Sequence, residues 1–386
     1  MTAVPKLFQP TTLGPLALSH RVVLAPLSRR RASAAHVPGE LAATYYAQRA
    51  SVPGTLLISE STEIAAKAGG SANTPGIWSD EQVEGWKRVT DAVHARGSYI
   101  VCQLRAQGRA ADPAVLAADA PGAPYVSSSP TPLSSRPSPP RALTIPEIDE
   151  YFSLYATAAR NALKAGFDGV EVHAANGYLV DQFLQDVVNK REDAYGGSVE
   201  RRCRFALEVV DAVVRVVGAE RVGIRLSPWA TFNDMRMPDP VPTFSHLVSS
   251  LRAAHPSLAY LHLVEPRADG IFDREPPPGE SNDFIRTTWS APGGHDDGRR
   301  IISAGGYTRA LALDVAERTR DLVAFGRFFI SNPDLPTRLL KNLPLAPYDR
   351  KTFYTPGPEG YTDYPFADAE DSPAPTAADP PTPTSR

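Results

Sequence analysis

Three side chains that could act together on a carbonyl group follow one apolar segment of the chain. Residues 169–173 (GVEVH) read as a short buried strand that ends at His173, and Asn176 and Tyr178 follow in a turn opened by Gly177. An imidazole and an amide can both donate hydrogen bonds to one carbonyl oxygen, which polarises it. A phenol beside them can then give a proton to a neighbouring carbon. The spacing indicates a reaction centre, although a lone histidine at a strand end is more often a packed core or rim residue.

Seven further apolar segments alternate with helical patterns along the chain. They are residues 20–27, 54–60, 99–104, 222–228, 258–264, 300–306 and 322–327. Two of the helices begin with capping-box pairs, Ser79 with Gln82 and Thr144 with Glu147. Eight strands that alternate with helices over this length predict a (β/α)8 TIM barrel, a fold of the α/β class, rather than an open sheet.

We expect the barrel to occupy residues 1–366 as a single domain. Residues 105–141, which follow the third strand, are rich in proline, serine and alanine. We therefore expect no regular element there and interpret them as a long insertion that caps the site. Residues 367–386 are mostly alanine, proline, aspartate and threonine, a composition typical of a disordered tail.

The composition favours an ordinary globular protein and argues against several kinds of partner. The chain has 386 residues, of which 42% are apolar and 22% charged, and its formal net charge is −3. Neither this charge nor the short arginine run at residues 29–31 indicates nucleic-acid binding, and we expect that run to be scaffold at the barrel rim. The sequence shows no signal pattern and no apolar run of membrane length. We expect a cytoplasmic monomer or homodimer without a membrane partner.

In a TIM barrel, residues that end the strands converge at the C-terminal rim, where active sites of this fold lie. Here these residues are Ser28, Gln103, His173, Arg225, Gly305 and Arg327. Gly305 with Gly306, and Gly326 with Arg327, let backbone N–H groups approach a phosphate and place a cation beside it. Arg225 and Gln103 suit the carbonyls and ring nitrogens of a flat heterocycle. The sequence thus predicts FMN as the cofactor, and it contains no pattern of metal ligands.

Up to about residue 366 the chain resembles the Old Yellow Enzymes, a family of FMN-dependent ene-reductases, and its fungal members in particular. The motifs that carry the resemblance are residues 21–28 (RVVLAPLS), 75–79 (PGIWS), 173–178 (HAANGY), 195–198 (YGGS), 325–335 (FGRFFISNPDL) and 360–365 (GYTDYP). The resemblance implies that His173 and Asn176 hold the carbonyl oxygen of an enone or enal. It further implies that hydride passes from NADPH through FMN to the β-carbon and that Tyr178 protonates the α-carbon, in secondary metabolism.

The resemblance also implies which residues surround the cofactor and the substrate. The cofactor contacts would be Pro26, Leu27, Ser28, Ser61, Gln103, Arg225, Gly305, Gly306, Gly326 and Arg327. The substrate pocket would be lined by His173, Asn176, Arg105, Phe232, Phe284, Phe353 and Tyr354. Ser61 stands where relatives often have glycine or alanine, and it is small enough to leave room for the cofactor.

Arg105 is the departure with the most consequence, because relatives commonly carry a tryptophan at this position. A cation in place of a flat apolar wall predicts either an acidic or carbonyl-rich substrate, or a side chain that swings out to solvent. His262, on the sixth strand, is expected to be a packed core residue.

Three other functions remain to be weighed against ene-reduction. A relative of the same family can act as a redox-neutral isomerase or as a desaturase, and the presence of Tyr178 favours reduction. A barrel that binds FMN without turnover would not need His173, Asn176 and Tyr178 together. A flavin-free aldolase or hydrolase would need a Schiff-base lysine or a metal cluster at a strand end, and neither is found.

Overall fold

The computed structural model describes residues 4–136, 138–270, 272–290 and 297–367. Within them, eight parallel strands form a closed barrel and confirm the predicted fold class. The strands are β1 (Val22–Leu24), β2 (Leu56–Ile58), β3 (Tyr99–Arg105), β4 (Gly169–Ala174), β5 (Val222–Leu226), β6 (Tyr260–Val264), β7 (Arg300–Ala304) and β8 (Leu322–Phe325).

One helix follows each strand on the outside of the barrel. These are α1 (Glu40–Arg49), α2 (Asp80–His94), α3 (Ile145–Lys164), α4 (Val199–Val217), α5 (Val241–Ala254), α6 (Asp283–Trp289), α7 (Arg309–Thr319) and α8 (Leu335–Lys341). Both predicted capping boxes are present, at the first turns of α2 and α3. In the described part of the chain, no helix has the length and apolar character needed to cross a bilayer.

The strand pairing closes the ring and fixes which residues meet inside it. β1 pairs with β2 and β8, and β2 pairs with β3. The register sets Gln103 of β3 beside Glu171 of β4, and Arg225 of β5 beside both His173 of β4 and His262 of β6. Because side chains alternate along a strand, Glu171 and His173 share one face. Register alone therefore gathers polar groups from four neighbouring strands.

An N-terminal hairpin, which the sequence analysis did not anticipate, closes the opposite end of the barrel. Its strands, Thr11–Leu13 and Leu16–Leu18, pair antiparallel. The leucines Leu13, Leu16 and Leu18 pack in one cluster with inward residues of the barrel strands, among them Val23. Gly14, at the turn, has φ of +51°, and a Cβ there would lie 2.0 Å from a backbone oxygen of residue 220. Only glycine lets this hairpin seat so closely under the barrel.

The insertion after β3 is more regular than the sequence predicted. Helix Pro113–Asp119 begins at Asp112, whose side chain accepts the N–H of Ala114, and the two-residue strands Val126–Ser127 and Arg141–Ala142 pair in parallel. The expectation of no regular element was wrong because Asp112 followed by proline is a helix start that the proline-rich composition obscured.

Five other short strands and α-helices lie within the described residues. These are strands Thr62–Glu63, Ala268–Asp269 and Phe272–Asp273 and helices Leu179–Leu184 and Arg327–Ser331, all at the C-terminal side of barrel strands. The predicted tail, residues 367–386, lies outside the described residues except for Ala367, whose N–H donates to Asp334.

Arginines from distant parts of the chain bind the backbone carbonyls of residues 352–361. We call this segment the C-terminal strap. Arg29 donates to the carbonyls of Phe353 (3.2 Å) and Gly360 (2.7 Å). Arg31 donates to four strap carbonyls, and Arg49 to that of Tyr361. Arg29 and Arg49 are fully buried. The arginine run at residues 29–31 is therefore scaffold at the rim, as predicted for it.

His20 makes the stability of the fold sensitive to acid. Its Nδ1 accepts the N–H of Val22 and its Nε2 bonds Thr55, so the ring is held neutral. Burial lowers the pKa of His20 to about 4. An unfolded histidine takes up its proton near pH 6.5, so stability is fully present above that pH and falls as the pH drops towards 4, by about 3 kcal/mol in total.

Replacing His20 should make the free energy of unfolding less dependent on pH below 6.5. With His20→Asn, the free energy of unfolding, measured by urea denaturation, should fall between pH 6.5 and 4.5 by about 2 kcal/mol less than in the wild type. The matched control is His246→Asn on α5, where the side chain is only partly buried. An unchanged pH slope in His20→Asn would contradict the assignment.

Candidate active site

His173 ends β4 on the inner face of the barrel and is oriented by its own backbone. It is 2% exposed, and its Nδ1 accepts the N–H of Ala175 at 3.3 Å. This hydrogen bond assigns the proton to Nε2, which is left as a donor. Burial, and then the positive charges of Arg225 and Arg105, hold the pKa of His173 well below its usual range. The ring is thus a neutral hydrogen-bond donor rather than a proton carrier.

Asn176 and Tyr178 are placed by a tight turn directly after β4. Asn176 adopts a left-handed backbone, φ of +57°, and its N–H donates to the hydroxyl of Ser227 at 2.7 Å. The Oδ1 of Asn176 is buried and has no partner among the described residues. The ring of Tyr178 meets that of His173 edge-on, with centroids 4.8 Å apart. The imidazole and the phenol predicted from the sequence are therefore direct neighbours.

Arg105 lies inside the site and not in solvent. It is 3% exposed, pairs with Glu63 at 3.2 Å, and sets its guanidinium 4.8 Å from the centroid of the Tyr178 ring. Gln107 donates to the same Glu63 oxygen. The alternative in which Arg105 swings out is therefore wrong, because a buried carboxylate draws the cation inwards. Its Nε is buried and has no partner among the described residues.

Breaking this pair should cost stability. Arg105→Met leaves the carboxylate of Glu63, 1% exposed, without its cation, and the free energy of unfolding should fall by about 3 kcal/mol. The double variant Glu63→Gln/Arg105→Met removes both charges and should recover most of that loss. Urea denaturation of both proteins measures the difference, and equal stabilities would show that the ion pair is energetically irrelevant.

Beneath the rim, a buried layer joins Gln103, Glu171 and His262. Gln103 donates from Nε2 to Glu171 at 2.6 Å, and its Oε1 accepts from the hydroxyl of Ser61. His262 Nδ1 bonds the second carboxylate oxygen at 2.8 Å. His262 is buried as predicted, but it belongs to a polar network and not to apolar packing.

The charges in this layer are balanced. Burial raises the pKa of Glu171, yet the interactions with His262, the charge of Arg225 and the hydrogen bond from Gln103 outweigh that effect and bring its pKa below the ordinary value. Burial, together with Arg225, lowers the pKa of His262. We assign an ionised Glu171, a neutral His262 that donates to it, and a cationic Arg225. The Nε of Arg225 is buried and has no partner among the described residues.

The two glycine-containing turns after β7 and β8 form a cradle for an anion. Arg327 donates to both oxygens of Asp273, 2.5 Å each, and to the hydroxyl of Tyr348 at 3.3 Å. A Cβ on Gly306 would lie 3.1 Å from the same carboxylate, and Gly305 has φ of +131°. The carboxylate of Asp273 thus lies between residues that are predicted to hold a phosphate.

The remaining predicted cofactor residues also meet at this rim. Leu27, which follows β1, contacts the position where a Cβ on Gly326 would stand, at 3.2 Å. Pro26 is buried beside it and Ser28 is partly exposed. These residues, the anion cradle and the buried Nε of Arg225, which has no partner among the described residues, fit a flat heterocycle that carries a phosphate, as FMN does. Arg225 and Gln103 would face its ring, and Arg327 with the two turns would hold its phosphate.

The aromatic residues predicted for the pocket wall differ in their surroundings. Phe232 packs over Gly270, and Phe284 meets Trp229 edge-on at 6.1 Å. Phe353 is 5% exposed within the C-terminal strap, whereas the neighbouring Tyr354 is 46% exposed. The contacts therefore do not bring these rings into one wall, and their role towards a substrate stays a prediction.

Sequence reasoning overlooked the acidic partners of the site. Glu171 and Glu63 hold Gln103 and Arg105 in place, and Asp273 pairs with Arg327. For Glu171 a signal was present, because it stands at the inward position between Val170 and Val172 of a buried strand, where an ionisable residue demands partners. No such signal marks Asp273, which approaches Arg327 from a two-residue strand 54 residues away.

Over most of its length the chain is similar to proteins of known family. The model of the NADH:flavin oxidoreductase / NADH oxidase family matches residues 6–346. Chanoclavine-I aldehyde reductase fgaOx3 of Penicillium roqueforti is 53% identical, covering 94% of this chain and 96% of that protein. NADP-dependent oxidoreductase lnbE of Aspergillus flavus is 50% identical, covering 94% and 97%. The structure of morphinone reductase superposes with a TM-score of 0.86 at 42% identity, over 96% of this chain and 98% of the other.

Proposed function

Because the chain belongs to the NADH:flavin oxidoreductase / NADH oxidase family, the Old Yellow Enzymes, and is a flavin oxidoreductase with FMN as cofactor, we propose that it reduces the carbon–carbon double bond of an unsaturated aldehyde or ketone. FMN, when bound, takes hydride from a reduced nicotinamide and supplies it to the β-carbon of the substrate. The electron donor is NADPH, a proposal supported by the name of the Aspergillus relative.

The residues around His173 supply what this reaction needs from the protein. Nε2 of His173 and the amide of Asn176 donate hydrogen bonds to the substrate's carbonyl oxygen and stabilise the negative charge that develops there. The phenol of Tyr178 gives its proton to the α-carbon, and Arg105 stabilises the resulting phenolate. The observation that carries the proposal is the direct contact of the His173 and Tyr178 rings at the end of one barrel strand.

The substrate class follows from the charges in the pocket. Glu63 compensates the charge of Arg105, so this pair gives the pocket no net positive charge that would favour a substrate with a carboxylate. The unpartnered Nε of Arg105 can still donate to a neutral oxygen. The name of the Penicillium relative also supports an aldehyde. We therefore favour a neutral enal or enone of secondary metabolism over the acidic substrate that the sequence alone suggested for Arg105.

An anaerobic spectroscopic experiment tests the proposal. The purified protein should be yellow, should bleach when NADPH is added, and should regain colour with cinnamaldehyde or cyclohexenone. Product analysis should find the saturated aldehyde or ketone and no alcohol. Dihydrocinnamaldehyde, which lacks the double bond, is the matched control and should not restore the colour, and cinnamic acid should react more slowly than cinnamaldehyde.

Three results would contradict parts of the proposal. A colourless protein that does not take up added FMN would overturn it entirely. Bleaching without recovery by any unsaturated carbonyl compound would leave a flavin oxidoreductase of other chemistry. Isomerised product without NADPH consumption would favour the redox-neutral alternative. The phenol of Tyr178 beside His173 argues against that alternative, because isomerisation does not require a separate proton donor at the α-carbon.

A further inference from the structure

The carboxylate of Glu171 is buried at the centre of the barrel, and the reaction does not use it directly. It is fully buried, and both of its oxygens are engaged, one by Gln103 at 2.6 Å and the other by His262 at 2.8 Å. Its neighbour on β5 at the next layer is Arg225, whose charge interacts with it. Removing a carboxylate from water is costly, so the presence of Glu171 in the core requires an explanation.

Glu171 decides which way the amide of Gln103 faces. A carboxylate only accepts hydrogen bonds, so the Gln103 atom that contacts it must be the NH2 group, and the amide oxygen is then directed to the hydroxyl of Ser61. One N–H of Gln103 and one lone pair of its oxygen remain for another molecule. Glu171 thereby presents a fixed donor and acceptor pair to whatever lies above Gln103.

Glu171 also decides the net charge of this layer. His262 is neutral, so the ionised groups are Glu171 and Arg225, which sum to zero. Without the carboxylate, the layer would carry the whole positive charge of Arg225. Charges in such a site act through a low dielectric and are poorly screened by salt.

We propose that Glu171 is a positioning residue that sets the reduction potential of bound FMN, by compensating Arg225 and by orienting Gln103. This rests on the proposed function, in which Arg225 and Gln103 face the ring of FMN. Reduction of FMN by two electrons with uptake of one proton leaves the ring negatively charged. An uncompensated cation favours that reduced form, so Glu171 keeps the potential low and the reduced cofactor ready to pass its electrons on.

The test is the potential of FMN in the holoprotein, measured by equilibration with a reference dye. In Glu171→Gln the side chain keeps its shape and can still accept from Gln103, but it loses its charge. Reduced FMN should then bind at least about tenfold more tightly relative to oxidised FMN, a rise of about 30 mV for this two-electron couple. In Glu171→Asp the charge is kept but drawn back from Arg225, so the potential should lie between those of the wild type and Glu171→Gln.

Controls separate the effect of charge from loosened packing. Ser59→Ala removes the hydroxyl that accepts the backbone N–H of Gln103, without any change of charge, and its potential should equal that of the wild type. A Glu171→Gln potential equal to the wild type overturns the inference and leaves the proposed function intact. If Glu171→Gln does not retain FMN, Glu171→Asp becomes the test. A Glu171→Asp potential equal to that of the wild type would also overturn the inference. A wild-type protein that binds no FMN refutes the proposed function itself.

Discussion

Replacing Tyr178 by phenylalanine is expected to slow the reoxidation of the NADPH-reduced protein by an enal or enone by about 10²–10⁴-fold, the usual contribution of general acid catalysis. The ring would keep its edge-on contact with His173 and its place under Arg105, and only the proton would be lost. Bleaching by NADPH does not need that proton and should proceed at the wild-type rate. Stopped-flow absorbance of the two half-reactions measures both effects in one protein.

The matched control is Tyr195→Phe. The hydroxyl of Tyr195 bonds Glu208 on the outside of the barrel, so this variant loses one phenol but nothing in the site. It should reoxidise as the wild type does. If Tyr178→Phe reacted with enone at the wild-type rate, another group or solvent would have to supply the proton, and the assigned role of Tyr178 would be lost.

A second large effect is expected for His173→Ala. Removing one preorganised donor to a developing oxyanion should lower the reoxidation rate by about 10²–10³-fold. His173→Gln, which retains an N–H donor, should recover part of that loss. Because burial and the neighbouring cations Arg225 and Arg105 lower the pKa of His173, the ring is neutral throughout the neutral range, and its hydrogen bond is already present at pH 6.

The pH dependence distinguishes this role from proton transfer. Between pH 6 and 8, the reoxidation rate of the wild type should depend on pH in the same way as that of His173→Gln. Suppose instead that the wild-type reoxidation rate falls at low pH and that this fall is absent in His173→Gln. His173 would then titrate and carry the proton. That result would also contradict the tautomer assigned from the hydrogen bond between Ala175 N–H and Nδ1.

The sequence predicted the barrel well because its signals are local. Each strand is a short apolar run between a helix end and a polar turn, and all eight runs are strands in the structure. The trio His173, Asn176 and Tyr178 was likewise predictable, because six consecutive residues of one chain segment contain it. Local sequence pattern and tertiary structure agree at these positions, as expected for a natural sequence whose local preferences support its global fold.

The rest of the site depends on contacts between residues far apart in the chain. The side-chain direction of Arg105 is decided by Glu63, which lies 42 residues away, and nothing in the local sequence distinguishes a buried from a solvated arginine. The meeting of Gln103, Glu171 and His262 depends on strand register, which composition and periodicity do not specify. The aromatic pocket wall stays a prediction for the same reason, since tertiary contacts such as that of Phe284 with Trp229 decide where each ring lies.

The arginines that bind the C-terminal strap can complete their hydrogen bonds only after the ribosome has synthesised the last part of the chain. Arg29, Arg31 and Arg49 are synthesised early, yet the carbonyls that satisfy them belong to residues 352–361 and emerge after all eight strands. Until then, the guanidinium groups of Arg29 and Arg31 lack the strap carbonyls, and for the fully buried Arg29 this costs about 1–3 kcal/mol once it is desolvated. A transcript cut short after β8 would encode every strand of the barrel but leave these guanidinium groups unmatched, and cellular proteases would recognise its product.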